Sequence, residues 1–183
     1  MQLAGRRAIF GQRGLVSATI KLCAAATLMG LMSIAWGEAP AAKSTEVAPD
    51  FVLRSITGGN LRLSEYQGQV VALGFWARWC GDCRQAMQAL DTVYAKYQRA
   101  GLVLLGIDVD DSVEQTSAMT RSLGLTFPVL VDDHKTVSVL YKVKSMPLIV
   151  LIDRAGQVRY SHAGFELGDQ ARIGEELRQL LNE

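Results

Sequence analysis

Two cysteines stand three positions apart in Trp79-Cys80-Gly81-Asp82-Cys83. At that spacing two sulfurs come within disulfide reach around the first turn of a helix, and the pair can exchange two electrons by thiol–disulfide exchange. Such exchange needs a thiolate. A helix N-terminus supplies unpaired N–H groups and a partial positive charge, and both favour the thiolate over the thiol. Cys80, ahead of the helix, is expected to be the exposed attacking thiol. Cys83, inside the first turn, is expected to resolve the mixed disulfide. A purely structural disulfide or half of a zinc site competes with this account. Zinc needs four ligands, and the chain has neither a second cysteine pair nor a histidine near this one. A Cu(I)-binding module is a further alternative, because Met87 and Met146 offer soft sulfur close to the motif.

A second feature is Ser145-Met146-Pro147, directly ahead of the apolar run LIVLID. A proline cannot sit in mid-strand, so it marks the strand's start. A cis bond at Met146–Pro147 would be a fixed bend. It would set the Met146 backbone beside the disulfide, ready to pair with an extended substrate chain. Trp76 and Trp79 are expected to pack around the cysteines, with Trp79 on the substrate surface. Gly81, Asp82, Met146 and Pro147 complete the residues expected to shape the site. Arg78 would lower the ionisation threshold of Cys80 and Asp82 would raise it. Asp82 or an ordered water is a candidate for moving the proton, against the plainer role of a helix N-terminal acid. Asp132-Asp133-His134, and Asp108 with Asp110 and Asp111, read as turn and helix-capping residues. Asp108 falls near the active-site edge. His162 is a lone histidine on a strand.

The elements that must position these groups alternate. Phe51-Val52-Leu53 is a short strand, residues 57–60 (TGGN) are a turn and Ser64-Glu65-Tyr66 is one helical turn. Residues 70–76 (VVALGFW) and 102–109 (LVLLGIDV) are apolar runs of strand length, buried on both faces. Residues 83–99 carry apolar side chains at helical spacing and end at Gly101. Residues 113–123 form a second helix closed by Gly124, residues 127–131 are extended, and residues 135–141 are a short helix. Residues 148–152 and 158–162 flank a turn at 153–156, and residues 168–181 form the closing helix. This order predicts an α/β sandwich with a central mixed sheet flanked by helices, its first half parallel and its last hairpin antiparallel.

The chain has 183 residues, 49% hydrophobic and 20% charged, which suits one globular domain. Residues 1–37 hold four basic residues and no acid, leaving 15 basic and 18 acidic residues, a net of −3, from Glu38 onward. A slightly acidic body without a basic patch argues against nucleic-acid binding. Residues 22–35 (LCAAATLMGLMSIA), apolar and 14 long, follow the basic residues and precede small ones. That layout predicts a secretory signal, with a retained membrane anchor as the alternative, and places the remainder outside the cytoplasm. Cys23 lies within this run. Residues 38–48 read as a linker, and 49–183 as one domain.

Together, Phe75-Trp76-Ala77-x-Trp79-Cys80-x-x-Cys83 and a proline 64 positions beyond Cys83 resemble the thioredoxin fold. The leader Ala48-Pro49-Asp50-Phe51-x-Leu53, the segment Leu63-Ser64-Glu65-Tyr66-x-Gly68 and the stretch from Gly124 to Tyr141 narrow the likeness. They resemble the TlpA/ResA-like thiol-disulfide oxidoreductases of the bacterial envelope, over about residues 46–183. The resemblance implies a monomeric protein-disulfide reductase without cofactor, with Cys80 as nucleophile, Cys83 as resolving thiol and Pro147 as the cis-proline. It also implies exported disulfide-bearing substrates, such as the haem-site cysteines of apocytochrome c, and a thiol donor embedded in the membrane. An oxidase or isomerase of secreted proteins is the alternative direction. Peroxiredoxins share the Pro-Asp-Phe-x-Leu leader, but Ala77-Arg78-Trp79 stands where a peroxidatic cysteine follows proline and threonine. The family's buried acids are missing: Gly74 and Ala86 occupy their positions, and Gln88 replaces a helix-bending proline.

Overall fold

The computed structural model describes residues 46–110 and 112–183. The expected signal, Cys23, most of the 38–48 segment and Asp111 lie outside the described residues. Seven strands run β1 (Val52–Ser55), β2 (Asn60–Arg62), β3 (Val70–Trp76), β4 (Leu102–Asp108), β5 (Val129–Val131), β6 (Leu148–Ile152) and β7 (Val158–Ala163). Four helices are α1 (Cys83–Tyr97), α2 (Val113–Leu123), α3 (Thr136–Leu140) and α4 (Asp169–Asn182). The strands form one mixed sheet in the order β2-β1-β5-β4-β3-β6-β7.

The apolar runs become the centre of that sheet. All seven residues of β3 are buried, and β3 pairs in parallel with β4 from Val70↔Leu102 to Trp76↔Asp108. β4 pairs in parallel with β5, and β6 lies antiparallel to β3 on its other side. The expectation of a parallel first half holds for β3, β4 and β5 but not for β1 and β2. These two form an antiparallel hairpin, and β1 runs antiparallel to β5. The four-residue turn after β1 is too short for a parallel crossover, which needs a dozen residues or so.

Alternation along the strands splits the core between the two faces. Val70, Ala72 and Trp76 of β3 with Leu102 and Leu104 of β4 pack under α1, α4 and the end of α2. Val71, Leu73 and Phe75 with Leu105 and Ile107 pack on the side of α3 and the leader. The helices end where glycine permits left-handed backbone, at Gly101 (φ 96°) after a single 3-10 turn and at Gly124 (φ 67°).

The leader is part of the fold. Phe51 is core, and the Tyr141 hydroxyl donates to the Pro49 carbonyl at 2.8 Å. Asp50 accepts from the Ser64 N–H and hydroxyl and from Arg62. Val47 bridges to Gln157, with Ala48 N–H donating to Gly156 and Val158 N–H to Glu46.

Candidate active site

β3 delivers the motif at its C-terminal end. Residues 77–80 form a tight turn in which Cys80 N–H donates to the Ala77 carbonyl at 3.2 Å, and α1 begins at Cys83. Cys80 and Cys83 are joined as a disulfide with Cα atoms 5.4 Å apart. Cys83 is wholly buried, whereas Cys80 is partly exposed. Cys80 and Met146 both lie against the apolar cluster that contains Cys83, Trp76, Ala86 and Met87. The Met146–Pro147 bond is cis, and the Pro147 carbonyl accepts from Gly164 N–H at 2.8 Å. Trp76 is buried, while Trp79 is 69% exposed beside Cys80. Gly81 and Asp82 are exposed; Asp82 is the residue before α1, and its side chain makes no capping hydrogen bond.

Packing over Gly74, where the family's acid would stand, is tight. A Cβ there would lie 3.1 Å from Leu90 Cδ1 and 3.2 Å from Met87 Cε, because α1 presses directly on the strand. Ala86, on the same face of α1, is fully buried. Met87 is therefore a core side chain packed over Gly74 and not a sulfur offered to solvent.

The acidic residues near the motif do something other than capping. Asp110 reaches across to the turn, and its carboxylate accepts from Arg78 N–H at 2.6 Å. Asp108 accepts from Asp110 N–H at 3.0 Å, while the nearby Thr116 hydroxyl donates to the Ser112 carbonyl at 2.8 Å. Its second oxygen, like Trp76 Nε1 and Thr120 Oγ1, is buried with no hydrogen-bond partner. Burial pushes the Asp108 carboxyl up to about 6; its hydrogen bonds work against that shift and the neighbouring Asp110 carboxylate adds to it. The cap of α2 is Ser112, which accepts from Gln115 N–H.

Asp132 does hold a helix start, accepting from Val137 N–H, Ser138 N–H and the Ser138 hydroxyl. Among the described residues no cluster of three or more His, Cys, Asp or Glu side chains is placed to hold a metal ion. His162 is not isolated: its Nε2 lies 2.6 Å from Glu176 Oε2, joining β7 to α4 inside the core. Sequence reasoning missed both the Arg78–Asp110 and His162–Glu176 contacts. The one available signal was Asp108 itself, an acid at an inward position of an otherwise apolar strand.

The chain is similar to known thiol-disulfide oxidoreductases. The thiol-disulfide oxidoreductase ResA of Geobacillus kaustophilus is 36% identical over 112 residues, covering 61% of this chain and 64% of that protein. ResA of Halalkalibacterium halodurans is 26% identical over 140 residues, covering 76% and 78%. The match to the Geobacillus protein thus spans a little under two thirds of its length. A Chlorobium tepidum crystal structure, described as a candidate thiol:disulfide interchange protein DsbE, superposes with TM-score 0.72 at 34% identity over 77% of this chain and 99% of that one. A secreted Mycobacterium tuberculosis disulfide oxidoreductase shares the fold at 21% identity, TM-score 0.62. These likenesses identify the sandwich as a thioredoxin-like fold. The AhpC/TSA family profile matches residues 45–161, from the leader into β7, and the chain belongs to that AhpC/TSA family.

Proposed function

We propose that this protein is a thiol-disulfide oxidoreductase that reduces disulfides of exported proteins outside the cytoplasm. The observation that carries the reading is the asymmetry of the pair: one sulfur partly open to solvent, its partner wholly buried at the start of a helix. In the dithiol state the Cys80 thiolate attacks a substrate disulfide, a mixed disulfide forms and the first substrate sulfur leaves as a thiolate. Cys83 loses its proton and attacks Cys80 Sγ. The second substrate thiolate departs and the Cys80–Cys83 disulfide is left. Two electrons and two protons pass to the substrate. No cofactor enters, because the cysteines carry the electrons. Trp79, Gly81, Asp82 and Met146 form the surface that meets the substrate chain, with the buried Pro147 fixing the Met146 backbone behind it. Another thiol protein, on the family pattern one embedded in the membrane, returns the electrons.

Residues 1–37 serve as signal or anchor in this reading, 38–48 as linker and 49–183 as the working domain. Substrates are disulfide-bearing exported proteins, with the paired haem-site cysteines of apocytochrome c as the first to try. The test is the equilibrium potential of the pair, with trapping by a Cys83→Ser variant. A potential near or below about −220 mV, and a mixed disulfide held at Cys80, support the reductase. A potential near about −120 mV turns the direction to oxidation of secreted proteins. A pair that does not cycle, or stoichiometric Cu(I) binding without turnover, would falsify the reading.

A further inference from the structure

The motif turn is gripped from the side by a carboxylate two residues beyond β4. Arg78 is the second residue of the turn that ends at Cys80, and its backbone N–H is held by Asp110 at 2.6 Å. Asp110 is itself joined to Asp108 through the 3.0 Å bond from its N–H to the Asp108 carboxylate. Asp108 is the register partner of Trp76 and therefore points to the same sheet face, toward α1 and α2. It is 1% exposed, and one of its oxygens has no hydrogen-bond partner. A carboxylate oxygen in that position is a costly place for a full negative charge.

Resting on the dithiol reading above, we infer that Asp110 and Asp108 are a charge-linked positioning pair for the dithiol. Asp110 holds the turn that delivers Cys80, and the charge the two acids share sets how readily that thiol ionises. Other charged groups on the elements packed against the pair have their own settings. Arg78 and Asp82 on the motif turn are exposed. Arg84 of α1 reaches Met119 of α2, and Glu114 of α2 accepts from the Ser112 hydroxyl. Asp132, beyond β5, turns its carboxylate to α3. Among these acids Asp108 alone combines burial with an unpartnered oxygen. A negative charge beside the turn opposes a thiolate there, so protonating the buried Asp108 favours the Cys80 thiolate. The pair places acids beside the motif at the end of β4, where β3 carries the tightly packed Gly74.

The experiment compares the full chain with Asp110→Asn, Asp110→Ala and Asp108→Asn. It reads Arg78 amide exchange, the pH profile of Cys80 alkylation and the equilibrium with glutathione. Asp110→Ala is expected to speed Arg78 exchange at least tenfold, while Asp110→Asn, whose side-chain carbonyl still accepts, keeps the protection. Asp108→Asn is expected to lose a wild-type inflection near pH 6 in the alkylation profile, and Asp110→Asn to move it to lower pH. They should also shift the glutathione equilibrium up to tenfold toward the dithiol, about 30 mV for two electrons. Unchanged pH profiles in both asparagine variants, or unchanged Arg78 exchange in Asp110→Ala, overturn the pair. If Asp110→Ala does not fold, the asparagine variants decide. A wild type with no reversible dithiol–disulfide cycle brings down the functional reading and the pair together. A cycling wild type with indistinguishable variants brings down the pair alone.

Discussion

Asp108 ends β4 and Asp132 directly follows β5, its parallel neighbour; each is 1% exposed, and the Asp132 N–H donates to the Asp108 carbonyl at 2.8 Å. Their carboxylates nevertheless meet opposite conditions. Asp132 turns to the α3 side and receives three hydrogen bonds, from two backbone N–H groups and a hydroxyl. Asp108 turns to the α1–α2 side, where one of its oxygens receives none. Burial alone therefore assigns neither residue a role; the number of donors aimed at each does. A fully served carboxylate is a structural clasp, and an underserved one is a group whose charge is held at a cost and can be given up.

The sharpest way to break this comparison is to remove the clasp. Asp132→Ala leaves two buried N–H groups at the start of α3 without acceptors and is expected to cost about 4 kcal/mol, read by urea denaturation. A loss below about 1 kcal/mol would put Asp132 in the same class as Asp108. Next in size is a pH effect. Folded Asp108 keeps its proton to about pH 6, whereas the unfolded chain releases it near the ordinary value of 3.8. The folded state thus binds more protons between those values. This group's contribution is greatest below about pH 4, falls as pH rises toward 6 and is level beyond, a loss of up to about 3 kcal/mol. Unfolding curves of wild type and Asp108→Asn should diverge through that window, and parallel curves would refute it.

Smaller still, Asp108→Asn at pH 7 is expected to stabilise the protein by about 1–2 kcal/mol, opposite in sign to Asp132→Ala, because it removes a poorly served charge. A destabilised variant would show that the charge is compensated. The smallest effect is at Thr120, whose buried hydroxyl has no partner. Thr120→Val should change the melting free energy by less than about 1 kcal/mol and leave the pH profile intact. A changed profile would draw Thr120 into the Asp108 network.

Local signals made most of this molecule legible. β3 and β4 stand out as apolar runs, α1 as a 3.6-residue pattern closed by a glycine, and the cysteines by spacing at a strand-to-helix junction. Each depends on residues close together in the chain. What escaped depends on distant ones. The antiparallel pairing of β1 with β5 joins segments separated by α1, β4 and α2. Asp110 grips Arg78 across 32 positions, and His162 meets Glu176 across a loop and the start of a helix. The acids after β4 read as caps because acids commonly open helices. Only the strand register shows that Asp108 faces inward beside Trp76, while Ser112 takes the capping role.

The close approach at Gly74 also constrains the protein's history. An aspartate there would bring its Cβ to 3.1 Å from Leu90 and 3.2 Å from Met87, with its carboxyl still to be housed. A single codon change toward that acid therefore meets a packing penalty before it can confer any benefit.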